Sequence, residues 1–176
     1  MSAAAPLVRD AAEGDVAELV ALVTEAYHVI DAGGWTTEAS LLGGQRIDPL
    51  LLRRDIQRPR SRVIVAERDG RLLGCGHLAL ADGEGSFGMF AVRPSLQGEG
   101  IGRLLLGEAE CLARDWLDVE WLRITVIEQR GELIEWYQRR GFCRSGVYKP
   151  FPYGDERFGV PLRDDLRFEV LEKRLV

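Results

Sequence analysis

The segment Gln97-Gly98-Glu99-Gly100-Ile101-Gly102 puts three glycines in five residues, between a β-rich run and a helical one. In that position they make an anion cradle. Glycine takes positive φ and lets backbone approach a ligand closely. The free amides of a helix start then point at a phosphate, assisted by the helix dipole. A triphosphate-hydrolysing loop would continue Gly-Lys-Ser/Thr, but Gly102 is followed by Arg103-Leu104. The dinucleotide pattern G-x-G-x-x-G fails as well, because counting from Gly98 puts Arg103 in the third glycine position.

The other chemistry-bearing residues are scattered. Cys75, Cys111 and Cys143 are odd in number and more than thirty residues apart, with no Cys-x-x-Cys and no Cys/His cluster. Neither a disulfide framework nor a metal site is expected. Cys75 on a strand and Cys111 on a helix read as core fillers, and Cys143 as structural. His28 and His77 are isolated. A reduced, cytoplasmic setting follows from this cysteine usage.

Hydrophobic patterning supplies the elements that hold the cradle. Pro6–Arg9 reads as a short strand, then Asp15 as an N-cap with Glu18 as its capping-box partner. Val16, Leu19, Val20, Val23, Ala26 and Tyr27 repeat at helical spacing, and Trp35 to Gly44 reads as loop. Asp48-Pro49 opens a second helix running to about Gln57. Arg62–Glu67, Leu72–Leu80 and Ser86–Val92 are strands joined by Asp69-Gly70 and Asp82-Gly83, both hairpin signals. Ile101, Leu104, Leu105, Ala109 and Leu112 give a long amphipathic helix. Trp121–Ile127 is a strand, Leu133–Arg140 a helix stopped by Gly141, Phe142–Tyr148 a strand, Lys149–Asp165 a loop, and Phe168–Arg174 a final strand. The order predicts an α/β (α+β) fold, in one domain spanning 1–176.

The 176 residues are 46% hydrophobic and 29% charged, with net charge −5. That balance suits a globular domain and no membrane partner. The acidic sign argues against nucleic acid and mildly for a cationic partner.

Two blocks together resemble the GNAT N-acetyltransferase superfamily. The first is Phe90-Ala91-Val92-Arg93-Pro94-x-x-Gln97-x-x-Gly100-x-Gly102-x-x-Leu105-Leu106, similar to its acyl-CoA-binding motif. The second is Glu132-Leu133-Ile134-Glu135-Trp136-Tyr137-Gln138-Arg139-Arg140-Gly141-Phe142, similar to its late helix ending Tyr-x-x-x-Gly-Phe. The resemblance spans about Pro6 to Val176. It implies a central mixed, mostly antiparallel β-sheet flanked by about four helices, acetyl-CoA as co-substrate, no metal and, as is common in the family, a homodimer.

Carried onto this sequence, the resemblance implies that Phe90, Ala91 and Val92 pair with the pantetheine arm. An amide near Met89 or Phe90 would hold the thioester oxygen. Gln97, Gly98, Gly100, Ile101, Gly102 and Arg103 would cradle the pyrophosphate. Tyr137 matches the tyrosine that protonates the departing thiolate, and a phenol near its ordinary pKa of ~10 suits that role. Arg130 stands where members often carry Asn, and would reach a cofactor phosphate. The carboxylate that many members use as general base has no counterpart in Ser86–Met89. Water relayed by a backbone carbonyl, Asp82, Glu84, His77, Glu25, His28 and Glu38 are the alternatives.

The family's acceptor site lies at the early helices and the late loop, which here singles out Tyr27, Trp35, Glu38 and Tyr153. Asp155, Glu156, Asp164 and Asp165 in that loop would suit a cationic amine. The reaction implied is acetyl transfer to a primary amine of a small molecule by direct attack in a ternary complex. The competing readings are a peptide or protein N-terminal acetyltransferase, a non-catalytic acyl-CoA-binding module and, more distantly, an NAD protein.

Overall fold

The structure, a computed structural model, describes residues 4–28, 40–44 and 46–176. Its elements run β1 (Leu7–Asp10), α1 (Val16–His28), β2 (Leu42–Gly43), α2 (Pro49–Gln57), β3 (Ser61–Arg68), β4 (Arg71–Ala81) and β5 (Glu84–Val92). They continue α3 (Ile101–Asp115), β6 (Trp121–Ile127), α4 (Gly131–Gln138), β7 (Cys143–Pro150), β8 (Val160–Pro161) and β9 (Arg167–Arg174). Among the described residues seven strands form one sheet in the order β1-β3-β4-β5-β6-β9-β7, antiparallel except between β5 and β6. This is the expected mixed, mostly antiparallel α+β sheet with four helices.

Strand alternation divides the core between the two faces. Val63, Val65, Leu72 and Cys75 face α1 and α2, meeting Leu19, Leu22, Val23 and Leu52. Ile64, Ala66, Leu78 and Phe87 face α3 and α4, meeting Leu105, Leu106, Ala109 and Ile134. Each large aliphatic buried this way contributes about 1.5–3 kcal/mol. The two hairpins turn where positive φ is required at both central residues: Asp69 and Gly70 have φ of 53° and 75°, Asp82 and Gly83 of 53° and 81°.

Three local readings are corrected. Asp15 is not the N-cap; it lies at the end of a 3-10 turn and its carboxylate reaches back to the Ala12 amide at 2.7 Å. It therefore fills the acidic slot of the capping box, and Glu18 is released for another role. Glu18 accepts from the Leu72 amide (3.0 Å) and from Arg93 (3.0 Å), tying α1 to the exit of β5. Second, the loops 35–44 and 149–165 are not structureless throughout: β2 pairs with β8 antiparallel. Third, Cys111 and Cys143 are exposed, so only Cys75 fills the core. Burial pushes the Cys75 thiol up to about 12.

Among the described residues no helix is long and apolar enough to cross a membrane. Among them, too, no three His, Cys, Asp or Glu side chains gather as a metal site.

Candidate active site

β5 and β6 pair only over Gly85–Phe87 and Leu122–Ile124, then part. The gap that opens is a cavity of about 490 Å³, lined by Gly88–Val92 on one side and Thr125–Ile127 on the other. β5 is also deformed there. Cys75 pairs with Ala91 and His77 with Gly88, so Met89 and Phe90 oppose the single residue Gly76, and Met89 has φ of 48°. Such a bulge re-aims backbone groups out of the ladder. The carbonyls of this stretch are already capped: Phe90 O accepts from the Tyr27 hydroxyl (2.7 Å), Met89 O from the Cys75 thiol (3.5 Å), and Val92 O from Gln97 (3.4 Å). The bulge leaves the Met89 and Phe90 backbone outside the paired register, on the cavity side of the strand.

The glycine turn closes one end. Gly98 and Gly100 have φ of 90° and 88°, and a Cβ on either would meet no atom within 4 Å. Backbone conformation, and not crowding, demands glycine there. Gly100 caps α3 with no side-chain cap, so the first-turn amides face outward. Arg103, Arg139 and Arg140 gather beside them on the cavity wall. Arg140 stacks on Trp136 at 3.5 Å and donates to Trp136 O, yet its Nε is buried with no hydrogen-bond partner. Burial, then the charges of Arg103 and Arg139, push the Arg140 guanidinium below its usual range. Crowded cations around an unsatisfied donor fit a phosphate group.

Tyr137, on α4, forms part of the cavity wall. It is buried, packed against Phe90, Trp136 and Phe142, and lines the cavity. Its phenol is not near its ordinary value: burial pushes it far up, Tyr27 adds to the shift and the Arg130 charge opposes it. The group holds its proton throughout the working pH range and can only donate. Tyr27 stands across β5 from it, with Arg46 over the Tyr27 ring at 5.1 Å.

The expected residues fall as follows. Phe90, Ala91, Val92, Gln97, Gly98, Gly100, Gly102, Arg103, Arg130, Tyr137 and Tyr27 all line the cavity. Ile101 is instead buried in the core beneath α3. Tyr153 lies apart: its hydroxyl donates to Arg163 O (3.0 Å) and accepts from the Leu166 amide (2.9 Å), serving the loop. Trp35 and Glu38 lie outside the described residues, as does the His28 side chain. In the acidic loop Asp155 pairs with Arg157 and Asp165 with Arg163.

Of the remaining base candidates, Glu84 pairs with Arg123, Glu25 with Arg93, and His77 contacts Ser61 at 2.8 Å and Asp55 at 3.7 Å. Asp82 sits in its hairpin turn, and none of these four lines the cavity. Among the described residues the lining holds no carboxylate and five arginines: Arg46, Arg103, Arg130, Arg139 and Arg140. Sequence reading missed Arg46, Arg139 and Arg140, because isolated arginines carry no spacing signal until the fold gathers them.

Comparison with known proteins agrees with this geometry. Residues 59–144 match the acetyltransferase (GNAT) domain model. The chain is 32% identical over 149 residues to the S-(2-succino)cysteine N-acetyltransferase of Bacillus subtilis (strain 168), covering 80% of this chain and 86% of that one. It is 34% identical over 100 residues to the IAA acetyltransferase of Azospirillum brasilense, covering 54% and 63%. The crystal structure of the ribosomal-protein-S18-alanine N-acetyltransferase from Escherichia coli superposes with a TM-score of 0.69 at 15% identity, over 97% of this chain and 94% of that one. A parted β5–β6 pair, a glycine turn opening α3 and this degree of identity along most of a known relative lead to one assignment: the chain belongs to the GNAT family of acetyltransferases.

Proposed function

We propose that this protein transfers the acetyl group of acetyl-CoA to a primary amine of a small molecule, by direct attack in a ternary complex. The carrying observation is the cavity between β5 and β6, lined by both a phosphate-fitting turn at Gly98–Arg103 and a proton donor at Tyr137. Acetyl-CoA supplies an acyl group activated as a thioester. The amides of Gly98–Arg103, with Arg103, Arg139 and Arg140, would hold its phosphates. The bared amides of the Met89 bulge would face the carbonyl oxygen, where negative charge grows as the amine adds.

As the new nitrogen–carbon bond forms and the carbon–sulfur bond breaks, the sulfur takes the Tyr137 proton, the nitrogen gives up one of its own to water, and the Tyr137 phenolate recovers a proton from water afterwards. The raised phenol is a weak acid in absolute terms. The same dry surroundings raise the basicity of the thiolate beside it, so the transfer stays balanced. Direct transfer needs no protein nucleophile. Cys75, the buried thiol nearest the bulge, is held protonated and bonded to Met89 O.

A small acceptor is supported by the roof of the cavity. β2 and β8 pair, and Leu41 and Leu42 pack on Ile127 and Phe168, two lining residues. A wall covered in this way favours a small acceptor over a peptide. The test follows free thiol released from acetyl-CoA across polyamines, amino acids, aminoglycosides, arylamines and short peptides. Release with a small amine is the expected result. Release only with peptides would transfer the reading to an N-terminal acetyltransferase, and acetyl-CoA binding without any release would leave a binding module.

A further inference from the structure

Past Phe87 and Ile124 the β5–β6 ladder ends, so the last residues of β5 are held from one side only. On that side the ladder to β4 is itself interrupted, with Met89 and Phe90 set against Gly76. The bulge has holds of its own, from the Tyr27 hydroxyl on Phe90 O and the Cys75 thiol on Met89 O. Beyond it the chain leaves the sheet at Arg93 and comes to the glycine turn at Gly98. A donor with its phosphates at that turn and its thioester at the bulge spans both. Their separation therefore enters the rate, because a small misplacement of reacting atoms is costly.

Arg93 is placed to fix that separation. It lies outside the cavity lining, and its side chain is 11% exposed. Each of its three guanidinium nitrogens has an acceptor. Nε donates to Leu72 O (2.6 Å), Nη1 to Glu25 (3.2 Å) and Nη2 to Glu18 (3.0 Å). The Arg93 amide donates to Leu73 O (2.9 Å), so its side chain and backbone grip adjacent residues of β4. Glu18 and Glu25 stand two turns apart on one face of α1. Glu18 also accepts from the Leu72 amide (3.0 Å). One planar fork thus joins α1, β4 and the exit of β5. Downstream the link to the turn is stiff. Arg93 O accepts from the Leu96 amide (2.9 Å), and Pro94 opens the 3-10 turn Pro94–Leu96 with its φ fixed by the ring.

We propose that Arg93 is a positioning residue for acetyl transfer. Held by Glu18, Glu25 and Leu72 O, it sets the glycine turn at the distance from the Met89 bulge that brings the thioester of a phosphate-anchored donor into place. The inference rests on the acetyltransferase reading above and adds to it a residue outside the cavity.

Two donors separate this role from packing. Acetyl-CoA carries the phosphates that the turn would hold. S-acetylpantetheine has the same thioester and arm without them, so its reaction is indifferent to where the turn stands. Each is assayed by thiol release with the panel amine that the wild type acetylates fastest, and calorimetry gives the Kd for CoA. Arg93→Lys keeps the charge and loses the fork. It should lower kcat with acetyl-CoA by about 10- to 100-fold. The Kd for CoA and the kcat/KM for S-acetylpantetheine should each stay within about 3-fold of wild type. Glu25→Gln changes a half-exposed side chain and spares the core. It should lower kcat with acetyl-CoA by about 3- to 10-fold, and add nothing to Arg93→Lys in the double variant.

A merely structural role would lower both donors together. Equal losses with the two donors overturn the proposal, as does a fall in kcat matched by an equal loss of CoA binding. So do a kcat within about 3-fold of wild type in both single variants, or full additivity in the double one. If S-acetylpantetheine does not react measurably, the split between kcat and the Kd for CoA decides. Each of these failures leaves the acetyltransferase reading standing. Absence of thiol release by the wild type with every amine, while acetyl-CoA binds, sinks that reading and this inference with it.

Discussion

Gly100 allows the cradle to be tested apart from the fold. It takes φ of 88° and ψ of 2°, and a Cβ there would meet nothing within 4 Å. Gly100→Ala therefore loses no packing, and its cost to stability is the left-handed strain alone, about 1–2 kcal/mol. In a chain of this size that lowers Tm by roughly 2–8 °C. The added methyl would stand on the cavity wall at the start of α3, beside the amides that have no carbonyl to pair with inside the helix. Displacing a phosphate from one or two of those charge-assisted bonds raises the Kd for CoA by about 10- to 100-fold.

Two further glycines calibrate the result. Gly107→Ala sits mid-helix in open space with ordinary φ, and should stabilise by about 0.5–1 kcal/mol while leaving CoA binding unchanged. Gly76→Ala drives a methyl to 2.4 Å from two ring atoms of Phe87 and should cost about 3 kcal/mol or more. Calorimetric titration with CoA and thermal melts of the three variants supply both axes. A Gly100→Ala protein that melts lower as expected but binds CoA as wild type does would refute the cradle, and with it the assignment of this end of the cavity to phosphate.

Tyr137→Phe should lower kcat by about 10²- to 10⁴-fold and leave the Kd for CoA unchanged; a loss under about 3-fold would make Tyr137 a packing residue. The kcat/KM profile should rise with pH and break at the pKa of the acceptor's own ammonium, shifting when the acceptor is changed, because the described lining holds no carboxylate. The raised phenol gives no descending limb below about pH 10; a rising limb fixed in place across acceptors would mean an enzyme base has been overlooked. Cys75 rises from 9.0 to about 12 on folding, so its contribution is intact below pH 9 and is lost as pH climbs through 12. Urea unfolding at pH 10 should yield about 1.4 kcal/mol less stability than at pH 8 from this thiol, and Cys75→Ala should remove that part of the difference.

How far the sequence was legible depended on whether a signal was local. The Asp-Gly turns and the Gly98/Gly100 turn could be read because positive φ leaves a mark in residue type. The β2–β8 pair could not: two-residue strands have no periodicity, and their partners lie more than a hundred residues apart. Cys111 could have been placed correctly. At about 100° per residue it stands some 200° around α3 from Ala109, off the buried stripe of Ile101, Leu105, Ala109 and Ala113. Asp15 and Glu18 were misread by one turn, because the spacing S/T/D-x-x-E leaves open which acidic residue reaches back. Ile101 was assigned to the cradle from the motif, yet its side chain falls on the buried stripe while its backbone stays at the turn.

The absence of a carboxylate from the described lining and the gathering of arginines on it bear on the same step. An amine must lose its proton before it can attack. A carboxylate in the cavity would accept that proton, but it would also stabilise the ammonium and hold it charged. The five arginines of the lining do the reverse. A cation brought beside them is disfavoured, so the pKa of the bound ammonium falls and the free base is populated at lower pH. The ammonium, made more acidic in this way, can pass its proton to water, and attack then needs no dedicated base.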